Sequence, residues 1–196
     1  HNPEVPPLEE YREMGSQHFL HIEYFREPPR ADEELAARPR LFLQKVFYTL
    51  SAACNYFDVF NYPPGTSYID AMVEPPALPW AWLSELEFEF FVSEYSRTGF
   101  TGGLNWYRSM DLKWAQRKPF EGVQSTVPAY FLGSEQDVDL EGFHGDDPVG
   151  QMREIFPDLR DVRMIPNAGH MVQLEASEAV NAAMLDYLAD IRATIK

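Results

Sequence analysis

Apolar and polar positions repeat with two different periods along this chain, and the change between them divides it. From residue 9 to about residue 118, the segments "LEEYREMGSQHFLHIEYFRE", "ADEELAARPRLFLQKVFYTLSA", "AWLSELEFEFFVSEYSRTG" and "LNWYRSMDLKWAQ" are long enough and patterned to form amphipathic helices. Stretches such as "NYPPGTS" and "VEPPALP" separate them and predict loops. From about Val123 the pattern becomes β/α. "TVPAYFLG" predicts a buried strand, "DPVGQMREIF" a helix, "DVRMIP" a second strand and "SEAVNAAMLDYLADIRATI" a terminal amphipathic helix. The fold class is therefore α/β, with residues 1–122 helical behind a polar, proline-bearing entry linker and residues 123–196 forming part of a sheet domain. Two parallel strands are too few to be stable alone, so the expectation is a larger sheet completed by strands outside this sequence.

Composition narrows the function. The 196 residues are 45% hydrophobic, enough for a sizeable core. A net charge of -15 disfavours nucleic acids and acidic membrane surfaces, which need a basic face, and leaves small neutral ligands open. The single cysteine, Cys54, excludes an internal disulfide or a cysteine zinc cluster; it is expected to be a buried packing residue, and a reducing cytoplasm suits it. No apolar run approaches the roughly 20 residues of a membrane span, and the first residues lack the pattern of a signal peptide.

The candidate chemistry lies in the second part. In "IPNAGHMVQLEASEAV", His170 follows the second predicted strand; in "YFLGSEQDVDL", Asp137 follows the first. Parallel neighbouring strands would bring both loops to one carboxyl edge, where α/β enzymes gather their active sites. An acid there can orient a histidine acting as general base. Asp139 and Glu135 are neighbouring alternatives for the acid. The nucleophile is the missing part. No G-x-S-x-G elbow occurs, and Ser134 stands beside the acid, the wrong place for one. Chain order puts the nucleophile before the helical block.

The stretches "YSRTGFTGGLNWYRSMDLKW", "VPAYFLGSEQDVDL" and "NAGHMVQLEASEAVNAAMLDYL", together with "EYFREPPRADEELA", resemble the soluble epoxide hydrolases of the α/β-hydrolase superfamily, over roughly residues 17–190. The resemblance implies a helical cap followed by the C-terminal half of the sheet domain. The N-terminal half, with its oxyanion loop and nucleophilic aspartate, would be supplied from outside this sequence. It also implies a catalytic triad in which that aspartate opens an epoxide to an alkyl-enzyme ester, and His170, oriented by Asp137, activates water to release a diol. Tyr107 matches one of the family's two ring-opening tyrosines. Where the other is usual this chain has His21, three positions before Tyr24. On one helix His18, His21 and Tyr24 would share a face, so Tyr24 stays an alternative to His21. Trp106, Phe19, Phe25, Phe57 and Phe60 are expected in the core or pocket wall, and His144 at the surface. The implied reaction needs no metal and no organic cofactor. Its implied partners are a small apolar epoxide, the N-terminal half and, in some assemblies, a second copy as a homodimer. A haloalkane dehalogenase, an esterase and a non-catalytic binding fragment are the alternatives.

Overall fold

The structure, a computed structural model, describes residues 4–26, 28–54, 61–143 and 147–194. The expectations for Phe57, Phe60 and His144 lie outside the described residues. Contacts divide the chain into two units, one formed by His1–Thr49 and Asn55–Pro119, the other by Leu50–Cys54 and Phe120–Lys196.

The first unit is helical, but its long amphipathic segments are interrupted. The first splits into α1 (Pro7–Gly15) and α2 (His21–Arg26). Its break falls where the two helices come close together, since a Cβ on Gly15 would lie 2.9 Å from the Glu23 Cβ. The Ser16 hydroxyl donates to the Glu13 carbonyl at 2.7 Å and closes the turn. His18 consequently lies ahead of α2, with Nδ1 3.0 Å from the Phe19 carbonyl oxygen, and not on a shared face with His21 and Tyr24. The second segment splits into α3 (Arg30–Ala37) and α4 (Pro39–Thr49). Arg38 precedes a proline, whose ring disfavours helical backbone in the residue before it, and takes φ -137° and ψ 51°.

Farther along, α5 (Tyr68–Ala71) is short, whereas α6 (Glu85–Thr98) starts on a capping box. Ser84 accepts the Glu87 amide, and the Glu87 carboxylate accepts the Ser84 amide. Phe88 of α6 is completely buried, with the Phe47 ring 6.5 Å away and the Arg40 guanidinium 5.6 Å over its face. α7 (Thr101–Arg108) and α8 (Met110–Arg117) follow. Trp106 is not in the core of this unit: it is 70% exposed, with the Lys113 ammonium 3.9 Å from its ring. Phe19 and Phe25 are buried as expected.

In the second unit, β1 (Ala129–Ser134) pairs in parallel with β2 (Leu159–Ile165), Phe131 opposite Val162 and Ser134 opposite Ile165. Among the described residues these two strands make up the sheet. α9 (Val138–Phe143) and α10 (Pro148–Ile155) connect them, α10 capped by Asp147, which accepts the Gly150 amide at 2.8 Å. The short α11 (Val172–Glu175) leads into α12 (Ser177–Thr194), which packs on both strands. Tyr130 donates to Asp190, and Arg163 pairs with Asp186 at 2.8 Å, so polar contacts fix α12 to the sheet at two places. Cys54 is half-buried, short of the full burial expected from its residue type. Among the described residues no helix is long and apolar enough to cross a membrane.

The contrast along α6 yields a stability prediction. Phe88→Ala removes a fully buried ring and should cost about 3–5 kcal/mol. Leu86→Ala, at a position 82% exposed, should stay within about 0.5 kcal/mol of wild type. Urea denaturation followed by circular dichroism checks both; equal losses would mean that α6 packs differently.

Candidate active site

Parallel pairing places the loops after β1 and β2 side by side, and backbone hydrogen bonds extend the contact past the strand ends. Glu135 N–H donates to the Ile165 carbonyl at 3.1 Å and Gln136 N–H to that of Ala168 at 3.3 Å. Asn167 turns the second loop with φ 55°, a left-handed conformation that asparagine tolerates. In this setting His170 Nδ1 lies 3.0 Å from Asp137 Oδ1. The same oxygen accepts the Asp139 amide at 3.0 Å. Asp139 Oδ2 is farther from the ring nitrogen, at 3.8 Å, and Glu135 is exposed, so Asp137 is the acid in contact with His170. Donor atoms of Asp137, Asp139 and His170 lie within 4.8 Å of one another, a closeness that the hydrogen-bonded pair accounts for.

The His170 pKa is raised above 6.5, chiefly by the Asp137 hydrogen bond; burial opposes this, and the nearby charges of Asp139, Asp137 and Glu175 reinforce it. With Nδ1 donating to Asp137, the lone pair of the neutral ring resides on Nε2 and is suited to accept a proton.

The main chain at His170 is also fixed. Its amide donates to the Leu50 carbonyl at 2.9 Å. Ser134, buried at the end of β1, donates its hydroxyl to the Gly169 carbonyl at 2.6 Å, a structural use of a serine that has no elbow around it. Glu175, at the end of α11, accepts the Gly169 amide at 3.1 Å and the Ala52 amide at 2.8 Å. Burial raises its pKa, against the pull of the Ala52, Gly169 and Met171 amides. Glu175 drew no attention in the sequence; its signal there was a carboxylate in the mostly apolar turn just after a candidate histidine.

A second constellation lies in the first unit. His21 opens α2 and Tyr107 is near the end of α7, their rings edge to face with centroids 5.8 Å apart. Tyr68 stacks on His21 at 5.8 Å and 22°. Both His21 and Tyr107 are half-buried. Tyr24, the alternative donor, is buried and donates its hydroxyl to Glu34 Oε2 at 2.5 Å; burial and that carboxylate raise its pKa. The phenol of Tyr24 is thus engaged within the helices. Arg108, also missed in the sequence, joins α7 to its neighbours. Its Nε donates to the Phe25 carbonyl at 3.0 Å and its guanidinium pairs with Asp32, whose pKa it lowers.

No family model matches the chain, but individual proteins do. Epoxide hydrolase A of Mycobacterium tuberculosis (strain ATCC 25618 / H37Rv) is 34% identical over 194 residues, covering 96% of this chain and 58% of that protein. The crystal structure of epoxide hydrolase A from Mycobacterium thermoresistibile matches with a TM-score of 0.83 at 36% identity, over 94% of this chain and 57% of its own. An epoxide hydrolase from an endophytic Streptomyces matches with a TM-score of 0.88 at 26% identity, over 98% and 58%. The chain therefore spans a little under three-fifths of the length of these relatives. The described architecture, mostly helical with a small parallel sheet, is a portion of the α/β-hydrolase fold. Within that superfamily the chain is homologous, over the portion it spans, to proteins named epoxide hydrolases.

The electrostatics of the pair can be checked by titration. Asp137→Asn removes the carboxylate that holds the imidazolium, so the His170 pKa should fall, as read from ring-proton NMR shifts against pH. The linked effect on stability has a definite sign. Because the folded-state pKa lies above the ordinary 6.5, His170 stabilises the fold below the ordinary value, and that contribution fades as pH rises through the folded value. The fading should weaken in Asp137→Asn. An unchanged His170 titration would show that another group controls the ring.

Proposed function

We propose that this chain is the cap and C-terminal catalytic part of an epoxide hydrolase, converting a small apolar epoxide to a vicinal diol. In this reading residues 1–122 are the cap and 123–196 the end of the sheet domain, and the nucleophilic aspartate comes from sequence outside these 196 residues. The observation that carries the reading is the Asp137–His170 hydrogen bond between loops that follow adjacent parallel strands, in a chain homologous to proteins named epoxide hydrolases.

The chemistry has two steps. A carboxylate oxygen of the nucleophile attacks one ring carbon, the carbon–oxygen bond of the strained ring breaks, and negative charge develops on the epoxide oxygen. Tyr107 O–H and His21 N–H donate to that oxygen and deliver the proton that makes it a hydroxyl. An imidazole serves here as well as a second phenol, because it too offers a polar hydrogen and, when protonated, is the stronger acid. In the second step His170 Nε2 takes a proton from water while Asp137 stabilises the resulting imidazolium. The hydroxide adds to the ester carbonyl, the acyl–oxygen bond breaks, and the departing diol oxygen takes the proton back from His170. Paired donors aimed at an oxygen favour this reaction over dehalogenation, whose halide calls for indole or amide donors. A reducing cytoplasm suits the single cysteine.

Two sets of variants, made in the protein that carries the nucleophile, test the proposal. His170→Ala should open the ring and stop at the ester, so that mass spectrometry of protein mixed with an epoxide finds a covalent adduct. Turnover at the normal rate would remove His170 from the mechanism. Tyr107→Phe and His21→Phe should each slow single-turnover alkylation on the order of 10²-fold with little change in substrate affinity. Alkylation by Tyr107→Phe should keep a pH dependence that the additional His21→Phe change abolishes together with most ring opening. Wild-type alkylation by His21→Phe would exclude it as a donor.

A further inference from the structure

We infer that Glu175 is a positioning residue for His170, its carboxylate binding together the two backbone segments against which the histidine is set. The inference rests on the hydrolytic role given to His170 above, and its geometry lies wholly within the second unit. One segment is Leu50–Cys54 and the other the loop 166–170. Neither belongs to a strand of the sheet, so no ladder of hydrogen bonds aligns them. They nevertheless meet backbone to backbone. A Cβ on Gly169 would fall 2.5 Å from the Ala52 nitrogen and 2.7 Å from the Leu50 oxygen, so glycine is what allows the approach.

At this approach the Ala52 and Gly169 N–H groups are received by a side chain. The Glu175 carboxylate supplies the acceptors, Oε2 for Ala52 at 2.8 Å and Oε1 for Gly169 at 3.1 Å. His170 is the next residue, and its own amide donates back to Leu50 at 2.9 Å. The carboxylate and the Leu50 carbonyl thus hold successive peptide groups of one short stretch. Displacing it would move the ring relative to Asp137, whose position is set independently by the loop after β1. Charge adds a second effect: the Glu175 anion helps to hold His170 in its protonated form.

The test uses Glu175→Gln and Glu175→Ala in the complete enzyme, with the two half-reactions timed separately by mass spectrometry of the ester. Glutamine keeps the size and one acceptor oxygen but loses the charge. It should slow ester hydrolysis about tenfold, and alanine, which loses both acceptors, on the order of 10²-fold. Alkylation should change less than about twofold in each, since His170 acts only after it. Loss of the anion lowers the His170 pKa, so the acid limb of hydrolysis should move to lower pH in Glu175→Gln. Amide exchange at Ala52 or Gly169 should accelerate in the same variant. Equal slowing of both half-reactions with an unmoved pH limb would reduce Glu175 to a general structural role and overturn the inference, as would unaltered hydrolysis in Glu175→Gln. If the wild-type enzyme forms no ester, the function proposed above fails; amide exchange then still decides the clamp, with unchanged protection at Ala52 and Gly169 overturning it.

Discussion

The parallel pairing of β1 with β2 is the constraint on which the meeting of Asp137 and His170 depends. Strands that run side by side in one direction end at the same edge, so the residues after Ser134 and after Ile165 become neighbours through sheet register. Two further hydrogen bonds, from Glu135 to Ile165 and from Gln136 to Ala168, carry that register into the loops. Asp137 and His170, 33 positions apart in sequence, meet because of it. A slip of the pairing would separate them without altering either residue.

The first unit reaches a comparable precision by different means. Its helices have no ladder between them, and α2 and α7 are fixed instead by aromatic packing and one arginine. Phe25 lies 4.9 Å from Tyr107, while Arg108 ties α7 both to the Phe25 carbonyl and to Asp32 of α3. Because that ion pair is largely buried, loss of either partner would leave a charge without its counter-ion, supported only in part by Thr101 or by Asn105 and the Phe25 carbonyl. The edge-to-face relation of His21 and Tyr107 is thus supported by Phe25 and Arg108.

Much of this was legible in the sequence because burial imposes periodicity. The strands, the terminal helix and the helical character of the first unit follow from it, and chain order pointed to Asp137 and His170. What was not legible depends on close approach. Nothing in the local pattern marks Gly15 as the point where α1 must stop so that Glu23 can pack against it. That break removes His18 from the face of α2. Trp106 illustrates the opposite limit: residue type alone could not separate core from pocket wall, and on α7 it is exposed, with the Lys113 ammonium over its ring. Glu175 was silent because its partners are backbone amides, which have no sequence signature. The engagement of the Tyr24 hydroxyl was silent as well, since its partner, Glu34, lies ten positions beyond it.

One carboxylate oxygen, Oδ1 of Asp137, accepts from its own loop through the Asp139 amide and faces the His170 ring as well. The local turn therefore holds the same atom that orients the His170 ring. Electrostatic support of this kind is effective when its dipoles already point the right way before charge appears, since rotating them during the reaction would add to the barrier. In water the solvent must reorganise around each new imidazolium. Beside His170 one acceptor, Asp137 Oδ1, is already set in place by the fold.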